Sequence, residues 1–509
     1  MMLFLTGTRP ILSEAGGQRT IAYRPSTASA LVSTIAATTI AAAALLPLLG
    51  HKILASRDEA IYAEVAREML RHSWLMPMWH FHLWPEKPPL AIWLTAICFH
   101  IFGVNAFAAR LVSALSGIGI VGVVHRQVAR LRDLKTAWLT TIILLTTLGF
   151  LHVCARGEMD APLTLACLFA LIGLQKARRS DVRGWYLFWV AFAAAVMIKG
   201  AASITLLLTL IVLLLWNRGL WRSRAFVYGL LIFLCMVLPW HLFMLHRLGS
   251  GFIEEYLGFH VLHRALSPWG GHPTAWWYYG PALVAYASPW VLLFPLALIQ
   301  STRRPDLREL FVFIVAVMTV FSAMSTRAPR YIFPAYPALA WITADTAGEW
   351  LQRLNLKTWL VVIASALAIC GLCTPLTRRL RSELGGAAAT LAATRSDREA
   401  PELIQTALQR QPAAADPILL WQENVAMQEL PALLFYAHRP MQQIYLVHKP
   451  STLGEAKRYA DPEPLRNFVD AQLHIVLLEK RLASEIPADL DFHLIAQDKT
   501  LEVGTIQKR

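Results

Sequence analysis

Two groups of residues in this chain carry side chains able to do chemistry at a membrane surface. The first runs from Ser56 to Leu90, SRDEAIYAEVAREMLRHSWLMPMWHFHLWPEKPPL, opening on Asp58 and Glu59 and closing on Glu86, Lys87, Pro88 and Pro89. A carboxylate and a lysine set close together present an acid and a base side by side at the membrane-water boundary. A residue before proline is pushed out of the helical region, so Pro88 holds Lys87 extended with Glu86 beside it. The second group is spread along the chain: Arg156, Glu158 and Asp160; Lys199; His260, His263, Arg264 and His272; and Arg327 and Arg330 around Pro329, followed by Tyr331. Ionisable groups at membrane depth are costly, which makes each one a functional hypothesis. Taken singly, Asp58 and Glu59 would equally stabilise a helix start by roughly 0.3 to 1 kcal/mol, and the cations would equally be snorkelling.

The elements that must position these residues are legible in the pattern. Ser56 with Glu59 is a capping box. Ile61, Val65 and Met69, flanked by Tyr62, Ala66 and Leu70, form one apolar face, with Glu64, Arg67, Glu68 and Arg71 mostly elsewhere. This predicts a helix lying along a membrane surface. Over the whole chain of 509 residues, 56% are hydrophobic, the mean hydropathy is +0.46 and 18 are Trp. That is the composition of an all-α polytopic membrane protein. The net charge of +14 comes from short basic clusters between apolar segments. These clusters read as topology signals, and no nucleic-acid partner is implied.

Arg9, Arg19 and Arg24 precede the first apolar segment, which predicts a cytoplasmic N-terminal segment over 1–27. A transmembrane domain over 28–377 follows, with outer loops at 51–90 and 246–278. Pro89 to Gly103 is too short for a full crossing. Counting it would also put the basic cluster at Arg126 outside, so it reads as a re-entrant or interfacial helix. Crossings then fall near 28–50, 106–125, 136–153, 161–175, 184–198, 202–216, 225–245, 279–299, 309–325, 331–346 and 358–376. That makes eleven, or thirteen if two marginal segments also cross, and an odd number places the C-terminus outside. Residues 378–509 predict a small periplasmic α/β domain: a helical stretch within 380–415, strands at 417–421, 443–447, 474–478 and 492–496, and a helix at 429–437. All six Cys lie in apolar segments, where the pair Cys370 and Cys373 reads as helix packing. No P-loop, G-x-G-x-x-G or D-x-D motif is present in the sequence, which argues against a cytosolic nucleotide substrate.

SRDEAIYAEVAREML and WPEKPPLAIWLTAICFHIFGVNAFAARLVSAL, with ARGEMDAPL, IKG, HVLHRALSPWGGHPTAWWYY, SPWVLLFP and RAPRYIFPAYPALA, resemble the C-type (GT-C) glycosyltransferases. The resemblance covers most of residues 50 to 345. It is closer to the bacterial branch that holds the lipid A 4-amino-4-deoxy-L-arabinose transferases and the protein O-mannosyltransferase relatives. It implies an inverting glycosyltransferase of the bacterial inner membrane, acting as a monomer, that moves a sugar from a polyprenyl (undecaprenyl) phosphate to lipid A or another acceptor at the periplasmic face. Under the resemblance Asp58, Glu59 and Asp160 are catalytic. Lys87, Arg264, Lys199, Arg330 and Tyr331 bind the donor phosphate, and Glu86 with His272 would hold a zinc ion. Two features depart from the pattern: R-A-P-R-Y stands where a K-x-P-x-Y form is more usual, and the C-terminal domain has no matching segment. The rival reading is a non-catalytic transporter or lipid-binding membrane protein. A transporter would show inverted repeats and charges buried mid-span, whereas here the charges gather at one face.

Overall fold

The computed structural model describes residues 8–15, 18–50, 54, 57–217, 219–267, 275–351, 396–421, 430–439, 441–444, 465, 469–497 and 501–509. Helices dominate to residue 351. Five of those described are long and apolar enough to cross a membrane: Thr27–Leu48, Ala106–Leu131, Asp160–Arg178, Arg183–Trp216 and Arg224–Leu248. The chain is a multi-pass membrane protein, as its hydropathy implies. The expected crossing at 136–153 is instead a pair, Leu134–Thr146 and Leu148–Cys154, bent by 69°. Thr147 leaves the helical region there, with ψ 109. The segment at 279–299 is likewise divided into Tyr279–Ala287 and Phe294–Thr302, and Pro289, which has no N–H to continue the first helix, lies between them. Arg308–Ala323 and Tyr336–Leu351 are shorter than a full crossing by length alone, and 358–376 lies outside the described residues. Leu90–Phe102, read from the sequence as a short interfacial helix, has 13 residues.

The chain packs as two compact units. One comprises the described residues of Met1–Gly50, Pro85–Cys98 and Arg110–Gly386; the other those of His51–Trp84, Phe99–Ala109 and Ala387–Arg509. In the first unit, Asp160–Arg178 and Arg183–Lys199 form a hairpin whose close approach depends on two glycines. A Cβ on Gly184 would strike the carbonyl of Gly173 and the amide of Ala177, and a Cβ on Gly173 would lie 2.6 Å from the Phe188 amide. Around the far end of the hairpin Ala193, Met197, Val237, Trp240, Met244, Phe252 and Tyr256 form one buried cluster. At the other end Ser33 Oγ and Thr141 Oγ1 each lie 2.9 Å from a nitrogen of the fully buried His125, satisfying both sides of its ring.

The second unit contains a five-stranded sheet in the order Met441–Ile444, Ala415–Trp421, His474–Glu479, Leu501–Lys508, Leu490–Gln497. The first three strands run parallel and the last two antiparallel to their neighbours. Leu419, Trp421, Val476, Leu478, Leu490 and Ile506 form its buried face. The helices Ser396–Arg410 and Leu430–Ala437 complete the α/β arrangement. Two elements were not read from the sequence. One is the strand Leu501–Lys508. The other is an N-terminal hairpin of Thr8–Ala15 with Gln18–Pro25.

The glycine contact gives a stability prediction. Gly184→Val forces the hairpin apart and lowers stability by roughly 1 to 3 kcal/mol, as overpacking does. Gly280→Ala, where nothing lies within 4 Å of the added Cβ, leaves it unchanged or improved. Thermal unfolding in detergent checks both.

Candidate active site

The hairpin geometry brings Lys199 and Asp160 together. The second helix runs back along the first, so its last residue, Lys199, arrives beside the first residue of Asp160–Arg178. There Lys199 Nζ lies 2.6 Å from Asp160 Oδ1. The chain must then turn at once, and Gly200 takes φ +53 in a space its missing Cβ leaves to the Tyr256 hydroxyl. Arg330 enters from the short helix Pro329–Ala335, with its Nε 3.3 Å from Glu158 Oε2 and 3.8 Å from Asp160 Oδ2. Arg156 lies 3.7 Å from the other Glu158 oxygen. Ser113 Oγ donates to the Glu158 carbonyl at 2.6 Å and fixes that turn. The ring of Tyr331 lies 5.4 Å from Lys199 Nζ and 5.8 Å from the Arg330 guanidinium carbon.

Both carboxylates are buried, at 4% exposure for Glu158 and 2% for Asp160. Buried charges persist only when paired and hydrogen-bonded. Here Lys199, Arg330 and Arg156 face Glu158 and Asp160, so both buried carboxylates are matched by cations. Cations held in fixed positions in this way suit an anion such as a phosphate monoester or diester.

A second cluster in the same unit gathers around Glu86. Glu254–His263 is a π-helix, whose wider turn sets residues five apart on one face, so Glu255 and His260 converge. His260 Nε2 lies 3.5 Å from Glu86 Oε1 and 3.4 Å from Glu255 Oε1. One ligand atom from each of the three falls within 4.8 Å of the others. One imidazole with two carboxylates is a donor set that fits zinc, with a coordination position left for water or substrate. Lys87 follows Glu86 directly and is half-buried, just before Pro88, Pro89 and the helix Leu90–Phe102. His272 lies outside the described residues, as does the side chain of Arg264, whose backbone opens the short helix Arg264–Leu266.

Asp58 and Glu59 lie in the other unit, in the first turn of Arg57–Arg71, Asp58 half-buried and Glu59 buried. The helix is present, and Ser56, its expected cap, lies outside the described residues. Its surroundings differ from those expected of a helix resting on a membrane surface. Glu64, Arg67 and Glu68 are buried as well as the apolar face, at 2%, 5% and 0% exposure. They can be buried because each finds partners. Arg67 pairs with Glu64 and donates to backbone carbonyls, and Glu68 accepts from the Phe81 amide at 3.1 and 3.2 Å. Burial pushes the Glu64 carboxyl up to about 7 against the pull of Arg67. It also pushes His80 down to about 4.

Of the residues singled out from the sequence, the structure therefore joins Asp160, Lys199, Arg330 and Tyr331, sets Glu86 beside two further donors, and places Asp58 and Glu59 in one helix turn. Glu158 and His260 were singled out as loop charges but had no assigned role, and Glu255 was not singled out. The signal for the last two is a five-residue spacing, which has meaning only once the turn is known to be π-helical.

Comparison with known proteins agrees with this picture. Residues 86–243 match the family described as dolichyl-phosphate-mannose-protein mannosyltransferase. The undecaprenyl phosphate-alpha-4-amino-4-deoxy-L-arabinose arabinosyl transferase 1 of Pseudomonas fluorescens is 28% identical over 323 residues, 61% of this chain and 56% of the relative. The transferase of the same description in Shewanella sediminis is 29% identical over 312 residues, 59% of this chain and 57% of the relative. The match thus spans little more than half the length of these relatives. The crystal structure of ArnT from Cupriavidus metallidurans bound to undecaprenyl phosphate superposes with a TM-score of 0.72 at 20% identity, covering 94% of this chain and 98% of that one. The fold is that of ArnT, and the resemblance to C-type glycosyltransferases read from the sequence is borne out.

Because the acid and the lysine are buried together, breaking one side costs more than removing both. Asp160→Ala is expected to lower stability by about 3 kcal/mol. Adding Lys199→Met to Asp160→Ala recovers part of the loss. Unfolding midpoints of the two single variants and the double variant measure it.

Proposed function

We propose that this chain is an inverting glycosyltransferase of the bacterial inner membrane. It takes 4-amino-4-deoxy-L-arabinose from undecaprenyl phosphate and places it on lipid A at the periplasmic face. The observation that carries this reading is the ionic cluster in which Lys199 and Arg330 are held in place by the buried carboxylates of Glu158 and Asp160, on a fold shared with a protein whose crystal structure holds undecaprenyl phosphate. The orientation, with the N-terminus cytoplasmic and residues 378–509 periplasmic, belongs to the proposal, as does the monomeric state.

In the reaction the bond between the anomeric carbon and the donor phosphate oxygen breaks, and its electron pair leaves with the phosphate. Lys199 and Arg330 stabilise that charge together with Lys87 and Arg264, while the Tyr331 ring keeps the first two cations in place. The acceptor oxygen forms its bond from the opposite face of the sugar, inverting the carbon. An acceptor phosphate is already ionised and needs no base, so Asp58 would position the acceptor rather than abstract a proton. An acceptor hydroxyl would give its proton to Asp58. Asp160 holds Lys199 in line.

Glu86, Glu255 and His260 would hold a divalent ion such as zinc. When bound, the ion would neutralise the two carboxylates and tie the Glu254–His263 turn to the segment that presents Lys87. This set joins Glu86, expected from the sequence, with two partners five residues apart, while His272, the other expected ligand, lies outside the described residues.

Lipid A from cells with and without this protein, and from a strain carrying Asp58→Ala, tests the proposal by mass spectrometry. We expect an aminopentose increment that depends on the protein and is absent from the Asp58→Ala strain. Unchanged lipid A in the presence of the protein would overturn the acceptor. The match of residues 86–243 to the protein mannosyltransferase family favours one second reading, transfer to protein Ser or Thr, and glycoprotein mass spectra from the same strains read it out.

A further inference from the structure

We infer that the C-terminal domain is the positioning element of the acidic loop helix, and that Arg67 is the residue through which it acts. The helix Leu430–Ala437 ends with its last carbonyls turned toward Arg57–Arg71. Arg67 donates from Nη1 to the Phe435 carbonyl at 2.9 Å and from Nη2 to the Leu434 carbonyl at 3.2 Å. Its guanidinium carbon also sits 5.6 Å from the centre of the Phe435 ring. A cation at a helix C-terminus is favoured by the helix dipole, and the fixed fork of donors suits two carbonyls at once.

Four further contacts join the loop helix and the segments around it to residues 435–441. The Leu54 amide donates to the Tyr436 hydroxyl at 3.0 Å. Arg71 meets the His438 ring. The Met441 amide lies 3.4 Å from His80 Nε2. The Phe99 and Phe435 rings lie 6.2 Å apart. His80 and Phe81 both adopt left-handed backbone, φ 54 and 62, a costly turn that persists because Glu68 holds the Phe81 amide. The partners come from the middle and end of the helix, whereas Asp58 and Glu59 are at its start. A rigid helix transmits the placement of its body to its first turn, and small displacements of a reacting group are costly in rate. Glu64, Glu68, Arg71 and His72 on the helix, His80 and His82 in the turn after it and His438 beyond the partner helix are the titratable groups around Arg67.

The inference rests on the proposed transfer only where turnover is measured. Hydrogen exchange on the full-length protein in detergent, with undecaprenyl phosphate binding and transfer to lipid A alongside, tests it. In Arg67→Met, which keeps the apolar stem but loses both carbonyl bonds, amide exchange over 58–71 rises about tenfold while that over 160–178 stays as it was. Turnover falls about tenfold, and binding of undecaprenyl phosphate is unaltered. Arg67→Lys restores part of both losses. Unchanged exchange in Arg67→Met, or raised exchange with wild-type turnover, overturns the inference. If Arg67→Met loses protection everywhere, Tyr436→Phe decides: it removes the hydroxyl that accepts from the Leu54 amide, and exchange should rise at 54–71 alone. No rise there overturns the inference. A wild-type protein that transfers nothing defeats the proposed function, while the exchange comparison still judges the brace.

Discussion

A buried lysine-carboxylate pair is the constraint on which the membrane unit depends. Charges in a low-dielectric interior must be matched, and matching them fixes where the chain can go. Lys199 can meet Asp160 only if the helices before and after the 179–182 turn run closely side by side, which requires glycine at positions 173 and 184. The turn after Lys199 then needs Gly200, and its left-handed backbone leads the chain away beside Tyr256. Arg330 and Tyr331 complete the cluster from a segment more than a hundred residues later. Helix packing, backbone turn and site chemistry are thus one problem with one solution.

The same logic of compensation runs through the rest of the molecule. Glu86, Glu255 and His260 bring two acids to one imidazole, an arrangement that calls for a cation. Glu64, Arg67 and Glu68 are buried on a helix whose pattern reads as amphipathic, because carbonyls and amides of neighbouring segments meet them. In each case a polar group that hydropathy would leave at the surface is drawn inside by partners, some near in sequence, as Arg67 is to Glu64, and some distant, as the carbonyls of Leu434 and Phe435 are to Arg67. In the second unit, these partners tie the helix Arg57–Arg71 to the helix Leu430–Ala437.

Much of this was legible from residue types. The all-helical membrane part, the small α/β domain, the loop helix starting at Asp58 and the candidacy of Asp160, Lys199, Arg330 and Tyr331 all follow from pattern and resemblance. The strands expected at 417–421, 474–478 and 492–496 fall within Ala415–Trp421, His474–Glu479 and Leu490–Gln497, because apolar residues run together in them. Leu501–Lys508 was not found: its Gly504, needed where the Phe492 ring crosses, weakens the strand signal. The bend at Thr147 and the break around Pro289 escaped because apolar composition continues across both. Glu158 was singled out as a loop charge but given no role, because a loop acid has no pattern. Its role appears only when Arg330 arrives beside it.

The most direct test of the account is the affinity of the purified protein for undecaprenyl phosphate, compared between wild type and Arg330→Met. The ionic cluster predicts measurable binding to wild type that weakens about tenfold when Arg330 loses its charge, since a charge-assisted hydrogen bond is at stake. Equal binding by both proteins, or none by wild type, would contradict it.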